Sequence, residues 1–212
     1  MSVTAKPVSD RRYTVEEYFD LVDTLETKYE YHNGKLVDWR AMAGASDQHA
    51  LITANIIREL GNALRGNPCR VYSSDVLLRI GKKSKYRFGD ATVICGPAIY
   101  DPLDKSRSKA VINPKLVVEV LSESSEGIDR GEKFADYREI DSFEEYVLVS
   151  QRDARVETFR RQPDGTWLLA FHRGLDATVE LHSLGVTLSL GEIFTGVIFV
   201  PAASNTQLSN LA

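Results

Sequence analysis

The sequence predicts an α/β domain built on a central mixed β-sheet flanked by helices. Three observations carry that expectation. Two short, β-branched, apolar runs, Lys115–Leu121 and Tyr146–Ser150, read as buried strands. Helical stripes stand before and between them, one from Ser46 to about Arg65 and one from about Arg130 to Glu139. The resulting order of helix, mixed strands, helix and strand is that of a layered α/β protein. The 212 residues suit one domain spanning 1–212, with its core expected at about 13–197.

The elements follow in order. Thr14-Val-Glu-Glu17 has the form of a capping box, and Tyr18, Leu21, Val22 and Leu25 continue an apolar stripe, so a helix is expected over about 14–24. Tyr29 to Trp39 reads as a hairpin, with Asn33-Gly34 supplying the two positive-φ residues of a tight turn. Ser46 is a plausible N-cap for the long helix, on which His49, Ile52, Ile56, Leu60 and Ala63 share a face. Arg70 to Ile80 is expected as one extended segment and Phe88 to Cys95 as the next strand, joined by the basic turn Gly81 to Lys85. A polar loop over 100–113 leads to the strand ending at Leu121. Beyond the 130s helix and the Tyr146 strand, Arg155–Arg160 and Thr166–His172 form a hairpin around Pro163-Asp164-Gly165. Short strands and a helical turn near Gly191 to Phe194 complete the chain.

Composition narrows the function classes. Lys and Arg number 26 and Asp and Glu 30, a net charge of −4, which excludes coating nucleic acid through bulk charge but leaves room for a local basic groove. Two cysteines, Cys69 and Cys95, offer neither a disulfide framework nor zinc spacing, so a reducing, cytoplasmic setting is expected. No run approaches the ~20 apolar residues of a membrane span, and Met1 to Arg12 lacks the apolar core of a signal peptide.

Two carboxylates stand out against this background. Asp90 borders and Glu119 interrupts an apolar strand, where an unpaired charge is costly. Together they suit a hard cation such as Mg2+, with Mn2+ as a substitute, and the carbonyl of Val120 could complete the ligand set. Lys133 shares a helical stripe with Asp129 and Tyr137 at i, i+4 spacing, and that stripe could face the end of the Glu119 strand. Next to carboxylates it would stay protonated and stabilise developing negative charge. Plainer readings exist: a turn-capping Asp90, an exposed Lys133 paired with Asp129, a solvent-facing Glu30, and a core histidine at His49. The cluster Lys82, Lys83, Lys85 and Arg87 reads as a solvated turn or as a phosphate-contacting loop. Asp75 and Tyr137 are at best supporting residues.

These residues, in this order, resemble the Uma-two family of restriction-endonuclease-like proteins in the PD-(D/E)XK nuclease superfamily. The resemblance runs from about Tyr13 to Val197. It rests on Tyr29-Glu30 with Asn33-Gly34, His49, Asp90, the Val-Val-Glu-Val-Leu-Ser run at 117–122, and Asp129-Arg-Gly-Glu-Lys133 with Tyr137. It implies a restriction-endonuclease-like core with an N-terminal helix and hairpin and additional C-terminal strands, and Mg2+-dependent DNA cleavage. Asp90 and Glu119 match the family's acids, Lys133 its displaced lysine, Glu30 an acid brought to the same site, and His49 a histidine without an assigned role. Two departures matter. Gly89 replaces the usual proline before the aspartate, and Leu121 stands where the wider superfamily has its lysine, so activity depends on Lys133 reaching in from the helix. A nuclease-fold protein that binds nucleic acid or a partner without cutting is the competing expectation, as is a hydrolase of another phosphate ester. Cutting both strands of a duplex would favour a homodimer.

Overall fold

The computed structural model describes residues 9–24, 27–38, 46–82, 84–106 and 109–199. Helix α1 (Val15–Val22) starts at the expected capping box: Thr14 Oγ1 accepts from the Glu17 N–H at 3.1 Å, and Glu17 accepts from the Thr14 N–H at 2.9 Å. It buries Tyr18 and Phe19 against a four-stranded antiparallel sheet ordered β2-β1-β5-β4. Strands β1 (Tyr29–His32) and β2 (Lys35–Asp38) are the predicted hairpin, with Asn33 at φ 51° and Gly34 at φ 96°. Strands β4 (Leu77–Arg79) and β5 (Lys85–Phe88) complete that sheet.

The central sheet has six strands in the order β10-β9-β8-β7-β6-β3. They are β3 (Cys69–Ser73), β6 (Ala91–Cys95), β7 (Leu116–Leu121), β8 (Glu145–Ser150), β9 (Arg155–Arg161) and β10 (Trp167–Arg173). The β7–β8 pair is parallel and its neighbours antiparallel, which makes the sheet mixed, as expected.

Two expected single segments are each divided between the two sheets. Arg70–Ile80 breaks at the Ser74-Asp75 turn, closed by the Val76 N–H to the Ser73 carbonyl, so β3 and β4 part company. Phe88–Cys95 breaks at Gly89-Asp90, where the chain leaves the small sheet at β5 and enters the large one at β6. Gly89 is needed there for space: a Cβ would sit 2.6 Å from Val117 Cγ1.

Each face of the large sheet has its own cover. Helix α2 (Asp47–Ala63), capped by Ser46 Oγ on the His49 N–H at 3.1 Å, packs Ile52, Ile56 and Leu60 against Leu116, Val118, Val120, Val147 and Val149. The hairpin β11 (Thr178–Leu181) and β12 (Val186–Ser189), with the turn α5 (Leu190–Ile193), extends that cluster. On the opposite face lie Val117, Leu121, Tyr146 and Leu148, under Tyr137, Ile140 and Phe143. The crossover helix begins earlier than the expected Arg130. It runs as α3 (Glu126–Ile128), a π-helical turn (Asp129–Lys133) and α4 (Phe134–Tyr137).

Cys69 and Cys95, expected in a reducing setting without a disulfide framework, are register partners on β3 and β6 and are joined as a disulfide. No helix among the described residues is long and apolar enough to cross a membrane.

Candidate active site

Strand alternation decides which side of the sheet the chemistry occupies. Residues 117, 119 and 121 of β7 share a face, so Glu119 points with Val117 and Leu121 toward the crossover helix. Leu121 is spent on the core of that face, and the cation comes from the helix instead. Lys133 Nζ lies 3.0 Å from Glu119 Oε2 and 3.1 Å from Asp129 Oδ1. One helical turn on, the Tyr137 hydroxyl donates to Glu119 Oε1 at 2.9 Å and reaches the Phe88 carbonyl at 3.2 Å. Asp129, Lys133 and Tyr137 thus face the Glu119 strand as a stripe. The π-helical turn that presents Asp129 and Lys133 is a form often found at functional sites.

Asp90 approaches from the other side of β7. Its Oδ2 accepts from the Val120 N–H at 2.7 Å and lies 3.2 Å from His49 Nε2, on the first turn of α2. In an extended strand the N–H and C=O of one residue leave by the same edge, which puts the Val120 carbonyl on the Asp90 side. Asp90, Glu119, Lys133 and His49 are therefore brought together, and all four are buried.

The electrostatics of this group are unbalanced. Three carboxylates, Asp90, Glu119 and Asp129, face one ammonium and one imidazole. Burial drives the Glu119 carboxyl well above the usual carboxylate range, and Asp129 and Asp90 push the same way against Lys133. Burial likewise raises Asp129, against Lys133 and Ser125; its Oδ1 faces the Lys133 ammonium at 3.1 Å without a well-aligned hydrogen bond among the described residues. Lys133 is held protonated: burial opposes its charge, but Asp129 and Glu119 outweigh it. Burial also works against protonation of His49, and the bond to Asp90 overrides it, lifting the imidazole above its ordinary value.

This donor set suits a hard cation better than a soft one. Among the described residues, no three His, Cys, Asp or Glu side chains converge as a ready cage. Mg2+ is ordinarily held by one or two carboxylates with waters and substrate oxygens, which is what Asp90, Glu119 and the Val120 carbonyl could offer. The surplus of buried negative charge favours such an ion.

Glu30 takes its hydrogen bonds in a neighbouring cluster, while its charge still acts on Lys133. It is fully buried on β1, accepts from the Phe88 N–H at 3.0 Å, and pairs with Arg87 at 3.0 Å and His32 at 2.9 Å. Burial would raise its pKa, but Arg87 and His32 bring it down to about 2. Arg87, expected on a solvated or phosphate-contacting turn, is fully buried, bonding Asp136 at 2.7 Å and Glu132 at 2.6 Å. Lys85 joins through Asp136 at 2.9 Å. Lys83 lies outside the described residues, and Asp75 is exposed in an ion pair with Lys28. Arg87 was missed because its burial depends on three carboxylates distant in sequence. Asp129 was visible through its spacing to Lys133.

A mixed sheet presenting two acids at adjoining strands, with a lysine supplied by the following helix, defines a nuclease-like α/β protein. The chain belongs to the Uma2 family, described as "Putative restriction endonuclease", which matches residues 15–191. It is 32% identical over 184 residues to the uncharacterized protein slr1290 of Synechocystis sp., covering 87% of this chain and 92% of that one. It is 34% identical over 167 residues to the uncharacterized protein sll1609 of the same organism, covering 79% and 91%. Its fold is similar to the crystal structure of "a putative nuclease belonging to DUF820" from Anabaena variabilis, with a TM-score of 0.69, 17% identity, and coverage of 88% and 99%. At that identity the last likeness is one of fold.

Proposed function

We propose that the protein is a metal-dependent endonuclease that hydrolyses phosphodiester bonds in DNA. The observation that carries this reading is Lys133 Nζ at 3.0 Å from Glu119, supplied by the helix where the strand offers only Leu121. Asp90, Glu119 and the Val120 carbonyl would hold Mg2+, or Mn2+ in its place. When bound, the ion supplies water activation and charge neutralisation at the phosphoryl group. Lys133, protonated, stabilises negative charge as it develops and does not abstract a proton. The neutral Tyr137 phenol fixes Glu119 through Oε1, and the Val120 N–H and His49 fix Asp90. Glu30 stands one cluster away from the reacting atoms and anchors the strand leading to Asp90. On the same reading a homodimer would supply one site per strand of a duplex.

Incubation of supercoiled and linear DNA with Mg2+ or Mn2+, beside Asp90→Ala and Glu119→Ala controls, tests the proposal. Cleavage by the wild-type protein that both substitutions abolish is expected. Intact substrate in every lane, with folded protein, sinks it.

A further inference from the structure

A lysine two residues beyond Glu119 would be aimed by the strand itself, whereas Lys133 is aimed by a helix with little hold on its own geometry. Segments α3 and α4 are 3 and 4 residues long, and neither has a side-chain cap bond. The π-helical turn between them is a rare form that occurs mostly as a single-turn bulge and has no side-chain cap bond either. Contacts from outside the helix must set its position: Arg130 is tied to Glu157 on β9 and the Asp129 carbonyl takes the Tyr146 hydroxyl, while around Lys133 itself the tie comes from β5.

We propose that Arg87 is the positioning residue for Lys133. Its guanidinium is fully buried and reaches three carboxylates on three segments: Glu30 on β1, Glu132 on the π-helical turn and Asp136 on α4. Glu132 and Asp136 flank Lys133 in sequence, so both sides of the lysine are tied to one point on β5. That point is itself fixed. The next residue, Phe88, has its N–H bound by Glu30 and its carbonyl by Tyr137, the residue that also holds Glu119. Asp90 follows two residues later. Arg87 thus sets the Lys133 helix in register with the strand that delivers Asp90. A planar fork with donors in three directions does this, and a lysine cannot reproduce it.

The inference rests on the nuclease reading for its catalytic consequence, yet it can be judged apart from cleavage. Arg87→Lys keeps the charge and loses the fork, Glu132→Gln removes the one half-exposed tether, and Arg87→Ala leaves space for added guanidinium. In the folded Arg87→Lys and Glu132→Gln proteins, amine-directed labelling of Lys133 and amide exchange over 129–137 should rise roughly tenfold while α2 stays protected. Single-turnover DNA cleavage at saturating substrate should fall by about 10²-fold with KM little changed. Guanidinium should restore cleavage in Arg87→Ala. A role confined to stability would lower the folded fraction without a kcat-specific loss or rescue, and would overturn the proposal. So would an unlabelled Lys133 and unchanged exchange in folded Arg87→Lys and Glu132→Gln. If the wild type cuts no DNA, the nuclease reading fails, and labelling and exchange still decide the role of Arg87. If Arg87→Ala does not fold, the other two variants carry the test.

Discussion

Two buried ionic clusters lie side by side in this protein and treat the same residue type in opposite ways. Glu30 and Glu119 are both glutamates on strands, and both are almost wholly removed from solvent. Around Glu30, the cations Arg87 and Lys85 and the imidazole of His32 meet Glu30, Glu132 and Asp136, and the carboxyl is held at a pKa of about 2. Around Glu119, the ammonium of Lys133 and the imidazole of His49 meet three carboxylates, and the carboxyl rises well above its usual range. Burial is the largest influence in both, so desolvation does not separate them. The supply of cations does. The first cluster is complete as folded, and the second lacks positive charge. An unbalanced buried site in a cooperative fold is a candidate for function, because it is held in place by groups that do not themselves benefit.

The sharpest way to break this contrast is to remove each glutamate. Glu119→Gln should lower DNA cleavage by ~10²–10³, the usual cost of losing one group that stabilises the transition state. It should leave the urea midpoint at neutral pH no lower than in the wild type, because the lost carboxylate was under-neutralised. A large loss of stability with normal cleavage would mean that the second cluster is the structural one.

Disturbing the balanced cluster should cost stability, in addition to what it does to cleavage through Lys133. Arg87→Met takes the guanidinium from Glu30 and Asp136 and leaves them to His32 and Lys85, and breaking a buried pair from one side costs about 3–5 kcal/mol. Equilibrium urea unfolding measures it. A cost no larger than that of an exposed substitution would show that water already neutralises the pair.

Acid unfolding sharpens the comparison further. The Glu30 pKa is depressed from the ordinary 4.5 to about 2 on folding, so its contribution is fully present above pH 4.5 and disappears as pH falls toward 2. At neutral pH it amounts to about 3 kcal/mol. Glu119 has the opposite sign: its raised pKa makes the folded state hold a proton that the unfolded chain releases, so stability is lost as pH climbs above 4.5. Glu30→Gln should therefore flatten the loss of stability between pH 4.5 and 2, and Glu119→Gln should flatten the opposing slope above pH 4.5. Denaturant midpoints of the three proteins across this range decide it, and parallel profiles would erase the distinction.

How much of this was legible in the sequence follows from what each inference needed. The β7 run and its alternation were enough to place Leu121 on the face of Glu119, and the family resemblance then required a lysine from another element. The i, i+4 stripe of Asp129, Lys133 and Tyr137 was enough to bring that element to the same face, because helical spacing is local information. The fate of Glu30 and Arg87 was not, since each depends on partners 45 to 58 residues away, which no local pattern encodes. The division of Arg70–Ile80 and Phe88–Cys95 between two sheets escaped for a related reason. A strand that changes sheets at a two-residue break keeps its apolar pattern on both sides.

Gly89 marks one of those breaks and gives the smallest effect. A glycine where the family usually has proline reads as a looser turn, but its reason in the fold is contact with β7. A Cβ would stand 2.6 Å from Cγ1 of Val117, on the strand that carries Glu119. Gly89→Ala should therefore cost ~1–3 kcal/mol, the range of a mildly overpacked core, and lower Tm by roughly 2–4 °C per kcal/mol in a domain of this size. Because the offending atom is a side-chain methyl, Val117→Ala in the same molecule should return most of the loss, beyond the cavity cost of the valine alone. A double-mutant cycle followed by thermal denaturation isolates that coupling. Additive losses would locate the strain in the backbone between the two sheets, and the crossing from β5 to β6, with Asp90 at its end, would then need the freedom of glycine itself.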